Sequence, residues 1–525
     1  MQARRVVARC DVSFPKGFET VARRILDTST RKVLRARHTG SQELPAEGSL
    51  EERRSWPPNS SAQVHPSKQQ AKVQLTTRLR ALRRRSWGGL NMDAGSSMRN
   101  RASELALREL ARVAYATMQN PPQTYWDLTD PEDEPLLNVS SGVTSVLLNS
   151  PQHKAAVDAL NSDSDFERMW SAGTDFGTFF RYPGGGSIVQ RETLPSSLII
   201  PALRRANIVA PSTEDEFCTW VLENLAEMKC AIRGESVTIY LVHGLAGLAV
   251  PEGLQIATPW GVIRGVPVGA AQGARRGRIN PTTAVLVGEL KTTVLMGHGD
   301  QSELILQDEF HAHEHQVRHL LPLAFALASE DGRVRAPSLT FSTRIVPFLG
   351  GWGSSGSPFG IPKEAIEIRE PDIEGIVHWA NVLDANHNPS LDIAARRLVS
   401  AINERYDPDD RLVDAVICWE SLVGTKLETV NRVTSSLAIL LEENVELRSK
   451  MMTSLGSTYS VRSHLVHGQK VKDTDRQKAT EHAVDVAVKA LRAIYSAGEP
   501  WVSEASDVRS KRIVLGEWDT RTSIR

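Results

Sequence analysis

Apolar residues recur every three to four positions through much of the C-terminal third of the chain, which is the period of amphipathic helices. Five segments carry this pattern, over residues 391–402, 412–423, 433–441, 452–466 and 479–494. Pro408 and two aspartates precede the second segment as a helix start, and Gly498-Glu499-Pro500 closes the last one. Because the connections are short, the pattern predicts an antiparallel helical bundle over residues 371–500.

The preceding region, residues 96–370, mixes helical and strand periods. Helices are predicted over 103–118, 213–230 and 309–327, and strands over 236–242, 254–258, 260–266, 283–287 and 338–346. Thr213 and the three acidic residues after it are typical of a capped helix start. Interleaved helices and antiparallel strands favour an α+β domain of unknown ligand. The predicted fold class is α+β multidomain, with an all-α bundle after the mixed N-terminal domain and a tail at residues 501–525.

Residues 1–95 form a basic leader with little helical or strand period. Residues 1–91 hold 19 Lys and Arg against 7 Asp and Glu, about +12, so the rest of this neutral chain carries about −12. This composition is typical of disorder. One interpretation is a basic arm that holds nucleic acid through its phosphates. The favoured one is that translation starts at Met92 or Met98, because arginine-rich, patternless sequence is what an arbitrary frame in GC-rich DNA gives.

The composition indicates a globular protein of a reducing compartment. Apolar residues make up 41% and charged residues 24% of the 525 residues, and this length suits two or more domains. Four scattered cysteines form no CxxC pair, which argues against a disulfide framework or a structural zinc site; they are Cys10, Cys218, Cys230 and Cys418. The longest apolar stretch, residues 237–250, is too short to span a bilayer, and the N-terminus lacks an apolar signal core. A cytoplasmic protein without membrane contact is expected.

The most specific chemistry lies in residues 459–468, Tyr-Ser-Val-Arg-Ser-His-Leu-Val-His-Gly. Arg462 and His467 stand in an R-x4-H arrangement at the end of an apolar helix, roughly 140° apart on the helical wheel. They flank one face without touching, and a second copy of the helix across a dimer axis would close the gap. Gly468 suits a left-handed C-cap, which places His467 in the last turn, where the helix dipole favours the imidazolium form. The alternative is an ordinary helix end, where Arg and His are favoured for electrostatic reasons alone.

This run resembles the HEPN superfamily, whose hallmark is R-x4–6-H at the end of a core helix. It is most similar to the Apea-like HEPN branch, in which Y-x-x-R-S-x-x-V-H-G is a familiar form. Residues 411–424 are similar to the first characteristic helix of that branch, with Asp414 near its start and Glu420 opening a Glu-x-Leu near its end. Residues 388–410 also fit the branch. The resemblance covers residues 371–500, about a quarter of the chain.

The resemblance implies a HEPN-like helical bundle that dimerises and acts as an endoribonuclease needing neither metal nor cofactor. In that scheme His467 is the general acid or base around the ribose 2′-OH, and Arg462 positions the scissile phosphate. The residue chemistry agrees, since Arg presents a planar fork to phosphate and His titrates near neutral pH. Attack by the 2′-OH would restrict cleavage to RNA. In prokaryotes the family serves phage defence or toxin-like growth arrest, so RNA, a second copy of the chain and a regulatory protein are the partners to consider.

Three further residues are expected to support the pair, namely Tyr459, Ser463 and Glu420. Glu420 would either orient Arg462 as a buried carboxylate or be a solvated glutamate at a helix end. Ser463 departs from many active members of the family, in which Asn, Asp or His follows the arginine. Serine still donates and accepts hydrogen bonds, but the departure keeps open an alternative function, a non-catalytic HEPN module that binds RNA or mediates regulatory dimerisation.

Four histidines fall within one predicted helix, namely His311, His313, His315 and His319. Two pairs have the i,i+4 spacing that metal ligands share, but the H-E-x-x-H pattern begun at His313 has Val317 where its second histidine belongs. A metal hydrolase is therefore a third hypothesis, and a polar helix face is favoured over it. The glycine-rich stretches 182–187 and 350–357 lack Walker and dinucleotide fingerprints, and 350–357 is expected to be a mobile linker or loop.

Overall fold

The computed structural model describes most of the chain beyond residue 97. The described residues are 98–119, 139, 141–183, 185–209, 213–266, 282–297, 303–329, 336–349, 355–356, 366–425 and 429–518. The prediction of a disordered leader at residues 1–95 lies outside them. Within the described part, helices and antiparallel sheets are followed by a helical C-terminal region, so the chain is α+β as its pattern predicted.

Helices dominate the described residues ahead of the main sheet. They are α1 (Met98–Gln119), α2 (Ser141–Leu148), α3 (Pro151–Asn161), α4 (Glu167–Ser171), α5 (Leu194–Ile208) and α6 (Glu214–Arg233). Thr213 caps α6 as predicted, because its side chain accepts from the Glu216 amide at 3.2 Å. Gly234 ends the same helix in the left-handed region, at φ +78°.

A six-stranded antiparallel sheet lies at the centre of this part. The strands of the described chain are β1 (Thr178–Tyr182), β2 (Gly185–Val189), β3 (Ser236–Ala246), β4 (Leu248–Ala249), β5 (Gln255–Thr258), β6 (Gly261–Gly265), β7 (Thr282–Thr293), β8 (Leu295–Met296), β9 (Ser338–Ile345), β10 (Ser355–Gly356) and β11 (Ile366–Glu367). The large sheet has the order β10-β9-β3-β7-β6-β5, β2-β1-β8 form a second sheet, and β11 pairs in parallel with β4. β3 continues beyond its predicted end at residue 242, so His243 lies inside the sheet.

The C-terminal region is built from helices whose predicted segments are confirmed, with ends shifted by a few residues. The helices that follow β8 are α7 (Glu303–Ala328), which precedes β9, and then α8 (Glu370–Asn386), α9 (Asp392–Val399), α10 (Pro408–Val423), α11 (Thr429–Leu441), α12 (Val445–Val466), α13 (Asp473–Ala497) and α14 (Ser506–Val514). α10 packs against α9, α11, α13 and α14. Its wholly buried Trp419 donates the indole N–H to the Ala483 carbonyl of α13 at 3.0 Å. α14 lies within the segment that was expected to be a tail.

One hydrophobic core runs across the predicted domain boundary at residue 370. It contains Leu286 of β7, Leu321 of α7, Leu383 of α8 and Trp419 of α10. A second core lies among α1–α6 and the strands that face them. The sheet and the C-terminal helices thus share a buried interior, and a boundary at 370 stays a prediction. In the part of the chain that the structure describes, no helix is both long and apolar enough to cross a membrane.

Candidate functional site

The R-x4-H motif lies at the C-terminal end of α12. His467 is the C-cap residue, and Gly468 adopts the left-handed conformation predicted for it, with φ +70°. The Gly468 amide donates to the Leu465 carbonyl at 2.9 Å, and the Gln469 amide donates to the His464 carbonyl at 2.8 Å. These two bonds form a Schellman closure, which leaves the His467 side chain exposed just beyond the last helical residue.

A cleft of about 1630 Å³ opens beside this helix end, between the C-terminal end of α10 and helices α11, α12 and α14. Four of the five residues singled out in the sequence line it, namely Glu420, Tyr459, Arg462 and Ser463. Among the described residues that line the cleft, the histidine is His464 and not His467. His467 falls on the same arc of the helix as Ser463, but about 6 Å further along the axis. The structure therefore brings Arg462 together with Glu420, Tyr459 and Ser463 in the cleft. His467 lies about one helical turn beyond Ser463, outside the cleft lining.

Tyr459 is the buried member of the group. Its side chain is 6% exposed, and its ring packs edge to face on Trp419, with 5.9 Å between ring centroids. Its hydroxyl donates to Glu420 Oε1 at 3.3 Å. Burial, followed by the neighbouring carboxylate, raises the pKa of the Tyr459 hydroxyl far above its ordinary value. Tyr459 is therefore a fixed donor at the floor of the cleft and cannot act as a base near neutral pH.

Arg462 is a cationic residue of the cleft that can bind an anion. It is half-buried, and its Nε is enclosed with no hydrogen-bond partner among the described residues. Its positive charge opposes the rise in the pKa of Tyr459, which lies three residues before it on α12. Glu420 is half-buried and contacts Tyr459, and no ion pair between described residues joins it to Arg462. An enclosed guanidinium N–H without an acceptor is suited to an anionic oxygen.

Charged side chains reach the cleft from four helices. They are Glu420 of α10, Arg432 of α11, Arg462 of α12, and Asp507 and Lys511 of α14. Sequence reasoning missed Arg432, His464 and Lys511 as site residues, because only tertiary packing brings α11 and α14 to the motif. His464 alone had a local signal, since it stands two residues after Arg462. The cations outnumber the acids, so the cleft favours an anionic ligand.

Asp414 lies on α10 and does not line the cleft. It is 2% exposed and accepts from Arg397 Nη1 at 2.6 Å, Ser400 Oγ at 2.8 Å and Arg405 Nε at 2.9 Å. Burial opposes ionisation of this carboxyl, but the hydrogen bonds from Arg405, Ser400 and Arg397 outweigh it and lower its pKa. The carboxylate joins α9, the short π-helix after it and α10, which is a structural role.

The four histidines of α7 do not converge on one point. His313 faces the sheet, where its Nε2 lies 3.0 Å from the Trp260 carbonyl and its Nδ1 lies 3.3 Å from His243 Nε2. His315 and His319 contact each other edge to face, with ring centroids 4.6 Å apart. Within the described ranges, no group of three or more His, Cys, Asp or Glu side chains is arranged to hold a metal ion.

The buried His243 and the half-buried His313 belong to a directional chain of hydrogen bonds. Because a carbonyl only accepts, neutral His313 carries its proton on Nε2 and accepts at Nδ1 from His243. His243 Nδ1 then accepts from Ser342 Oγ at 2.9 Å. Burial lowers the pKa of both imidazoles and keeps them neutral. His243 is 0% and Ser342 1% exposed, whereas His313 is half-buried, so this chain ties α7 to the buried strands β3 and β9.

The described residues of the glycine-rich stretches do not line the cleft. Tyr182 faces Gly185 where β1 and β2 pair, so the strands that flank Gly184 are antiparallel. Within residues 350–357 the structure describes only Ser355–Gly356, which pairs with β9 as strand β10. The rest of that predicted linker lies outside the described residues.

No protein-family model, curated protein or solved structure matches this chain. The chemistry of the cleft is therefore inferred from the residues that line it.

Proposed function

We propose that this chain is an endoribonuclease of the Apea-like HEPN kind, which cuts RNA without a metal ion and works as a homodimer. The observation that carries the proposal is the position of Arg462, which lies in a cleft with its Nε unsatisfied among the described residues. His467 follows on the same helix and is exposed to solvent. A guanidinium that can bind phosphate and an imidazole that can exchange protons are the groups that metal-free RNA cleavage needs.

In the proposed reaction the ribose 2′-oxygen attacks the adjacent phosphorus, and the bond from phosphorus to the 5′-oxygen breaks. A general base takes the proton of the 2′-OH, and a general acid returns a proton to the departing 5′-oxygen. His467 performs one of these transfers, and Arg462 offsets the charge that develops on the non-bridging oxygens. The products are a 2′,3′-cyclic phosphate and a 5′-hydroxyl, so the step consumes no water.

The first test compares cleavage of a labelled, structured RNA pool by the full chain and by its variants in excess EDTA. We expect the wild type to leave 2′,3′-cyclic phosphate ends, and His467→Ala and Arg462→Ala each to abolish cleavage while remaining folded by circular dichroism. His464→Ala is the matched histidine variant on the same helix end, and we expect it to retain activity. Cleavage that survives in His467→Ala but not in His464→Ala would move the proton transfer to His464.

The offset between the two motif residues supports an active site completed by a second chain. Arg462 lines the cleft of its own protomer, whereas His467 is exposed at the helix end, where a partner is free to approach. An equal mixture of Arg462→Ala and His467→Ala chains tests this arrangement. If each site takes Arg462 from one protomer and His467 from its partner, half of the dimers are mixed and each has one intact site, so about a quarter of wild-type activity returns. A site built within one chain gives no recovery.

A second candidate function is RNA binding without cleavage. Two observations favour it: Ser463 is exposed in the cleft where many active members have Asn, Asp or His, and His467 does not line the cleft. In this case the wild type binds RNA in the cleavage assay and leaves every phosphodiester intact. Ser463→Asn then separates a slow enzyme, in which cleavage emerges, from a binding module, in which it does not.

A further inference from the structure

Three cations line the cleft, and each comes from a different helix. Within the described ranges, the side chains of Arg432, Arg462 and Lys511 have no carboxylate partner. By contrast, several cations outside the cleft are neutralised, namely Arg397 and Arg405 by Asp414, Lys489 by Asp485, and Arg512 by Glu504 and Glu517. Unneutralised cations that converge in a concave surface raise the local concentration of anions.

Lys511 projects from a helix that is firmly held. Two residues before it, Arg509 is 0% exposed and donates to three backbone carbonyls at 2.6–2.7 Å, those of Leu422, Trp501 and Glu504. These bonds fix α14 against the C-terminal end of α10, where the helix dipole favours a positive charge. The backbone of Lys511 is therefore held beside the cleft by the bonds of Arg509.

Two acidic residues, Glu420 and Asp507, also line the cleft. Glu420 accepts the hydrogen bond of Tyr459 and so belongs to the floor of the cleft. Asp507 stands one helical turn before Lys511 and lines the same cleft. It makes no ion pair with Lys511 or with any other described residue, so its charge acts directly on whatever enters. Lys511 and Asp507 thus bring opposite charges to the same wall of the cleft, formed by α14.

The size of the cleft indicates an extended ligand. Its volume of about 1630 Å³ exceeds the roughly 300–1,000 Å³ of pockets that enclose a single small molecule. Its three cations come from three different helices. A polymer that carries one negative charge per unit satisfies both features, and a single-stranded phosphodiester chain is such a polymer.

We infer that Arg432 and Lys511 bind RNA phosphates that neighbour the phosphate held by Arg462, which makes α11 and α14 the substrate-positioning walls of the cleft. The inference rests on the proposed function and names the residues that hold the strand. Phosphate contacts fix the register of a strand without reading its sequence. They therefore present a 2′-OH to the motif at the point where the strand crosses Arg462.

Binding of a fluorescein-labelled single-stranded RNA oligonucleotide, followed by anisotropy, tests the inference. The full chain carries His467→Ala to prevent cleavage, and the added variants are Lys511→Ala, Arg432→Ala, Asp507→Asn and, as a matched control outside the cleft, Lys489→Ala. We expect Lys511→Ala and Arg432→Ala each to weaken binding by roughly two- to fivefold. Each should also lower the slope of log K against log salt by about 0.7. We expect Asp507→Asn to tighten binding by a similar factor and Lys489→Ala to leave it unchanged.

The basic leader is present in every sample, so only differences between variants count. Equal affinities for the Lys511→Ala and Lys489→Ala chains, or weaker binding by Asp507→Asn, overturn the inference. In chains that retain His467, Lys511→Ala should raise KM and leave kcat unchanged, which a general loss of structure would not do. Cleavage by the wild type with no response to Lys511→Ala rejects this inference alone. Opposite shifts in the Lys511 and Asp507 variants without any cleavage uphold the inference and reject the nuclease.

Discussion

Replacing Arg509 with methionine removes the group that fixes α14 while it keeps an unbranched side chain in the core. Arg509 is wholly buried and donates hydrogen bonds to the carbonyls of Leu422, Trp501 and Glu504. Its bond to Ser390 Oγ is longer, at 3.4 Å. Methionine fills much of the same space but donates no hydrogen bond. We expect α14 to open locally and the cleft to lose one wall.

The magnitude follows from two opposing effects. Three hydrogen bonds from a charged donor contribute about 1.5–3 kcal/mol each, or about 4.5–9 kcal/mol together. Against them stands the burial of the guanidinium, which lowers the pKa of Arg509 from 12.5 to about 10. That difference corresponds to about 3 kcal/mol, which the neutral methionine does not carry. The balance predicts that α14 loses about 1.5–6 kcal/mol of protection against opening.

Amide hydrogen exchange over residues 506–514, read by mass spectrometry, measures this loss directly. Arg512→Met is the matched control, because Arg512 lies on the same helix but pairs with Glu504 and Glu517 at the surface. We expect its α14 amides to exchange nearly as slowly as those of the wild type. If the Arg509→Met chain protects α14 as well as the Arg512→Met chain does, the assigned role of the buried arginine is wrong.

Three further outcomes are expected. Asp414→Ala leaves Arg397 and Arg405 without their shared carboxylate and should lower the free energy of unfolding in urea by about 3 kcal/mol; a loss no larger than that of a surface Asp→Ala variant would contradict this. Burial, then His315, lowers the pKa of His319 to about 4, so the unfolded chain binds a proton that the folded chain does not. Stability should therefore be full above pH 6.5 and fall as the pH drops towards 4, and His319→Gln should flatten that fall in urea titrations across the range. Gly468→Ala places a side chain at φ +70° in open space and should cost about 1 kcal/mol by calorimetry, with Gly468→Asn less affected.

Features that depend on neighbouring residues were predicted well from the sequence. The ends of α6 and α12 follow from Thr213 and Gly468, whose capping contacts lie within four residues of each. The wheel likewise placed Arg462 and His467 on either flank of one face, and Ser463, between them, lines the cleft. What the wheel could not give is the position of the cleft, which the packing of α10, α11 and α14 sets and which ends before His467.

The wall formed by α14 was missed for a different physical reason. Periodicity detects a helix by its apolar stripe, but the buried positions of α14 are Arg509, Ser510 and Ile513. Two of these are polar and are satisfied by hydrogen bonds to other helices, with Ser510 Oγ lying 2.9 Å from Ser436 Oγ of α11. A helix that is held through polar contacts has little hydrophobic period. The sequence therefore predicted that the helical region ends at Gly498-Glu499-Pro500 and that a tail follows. The part of the cleft that carries Lys511 thus lies outside residues 371–500, and RNA binding that depends on Lys511 would not follow from the R-x4-H motif.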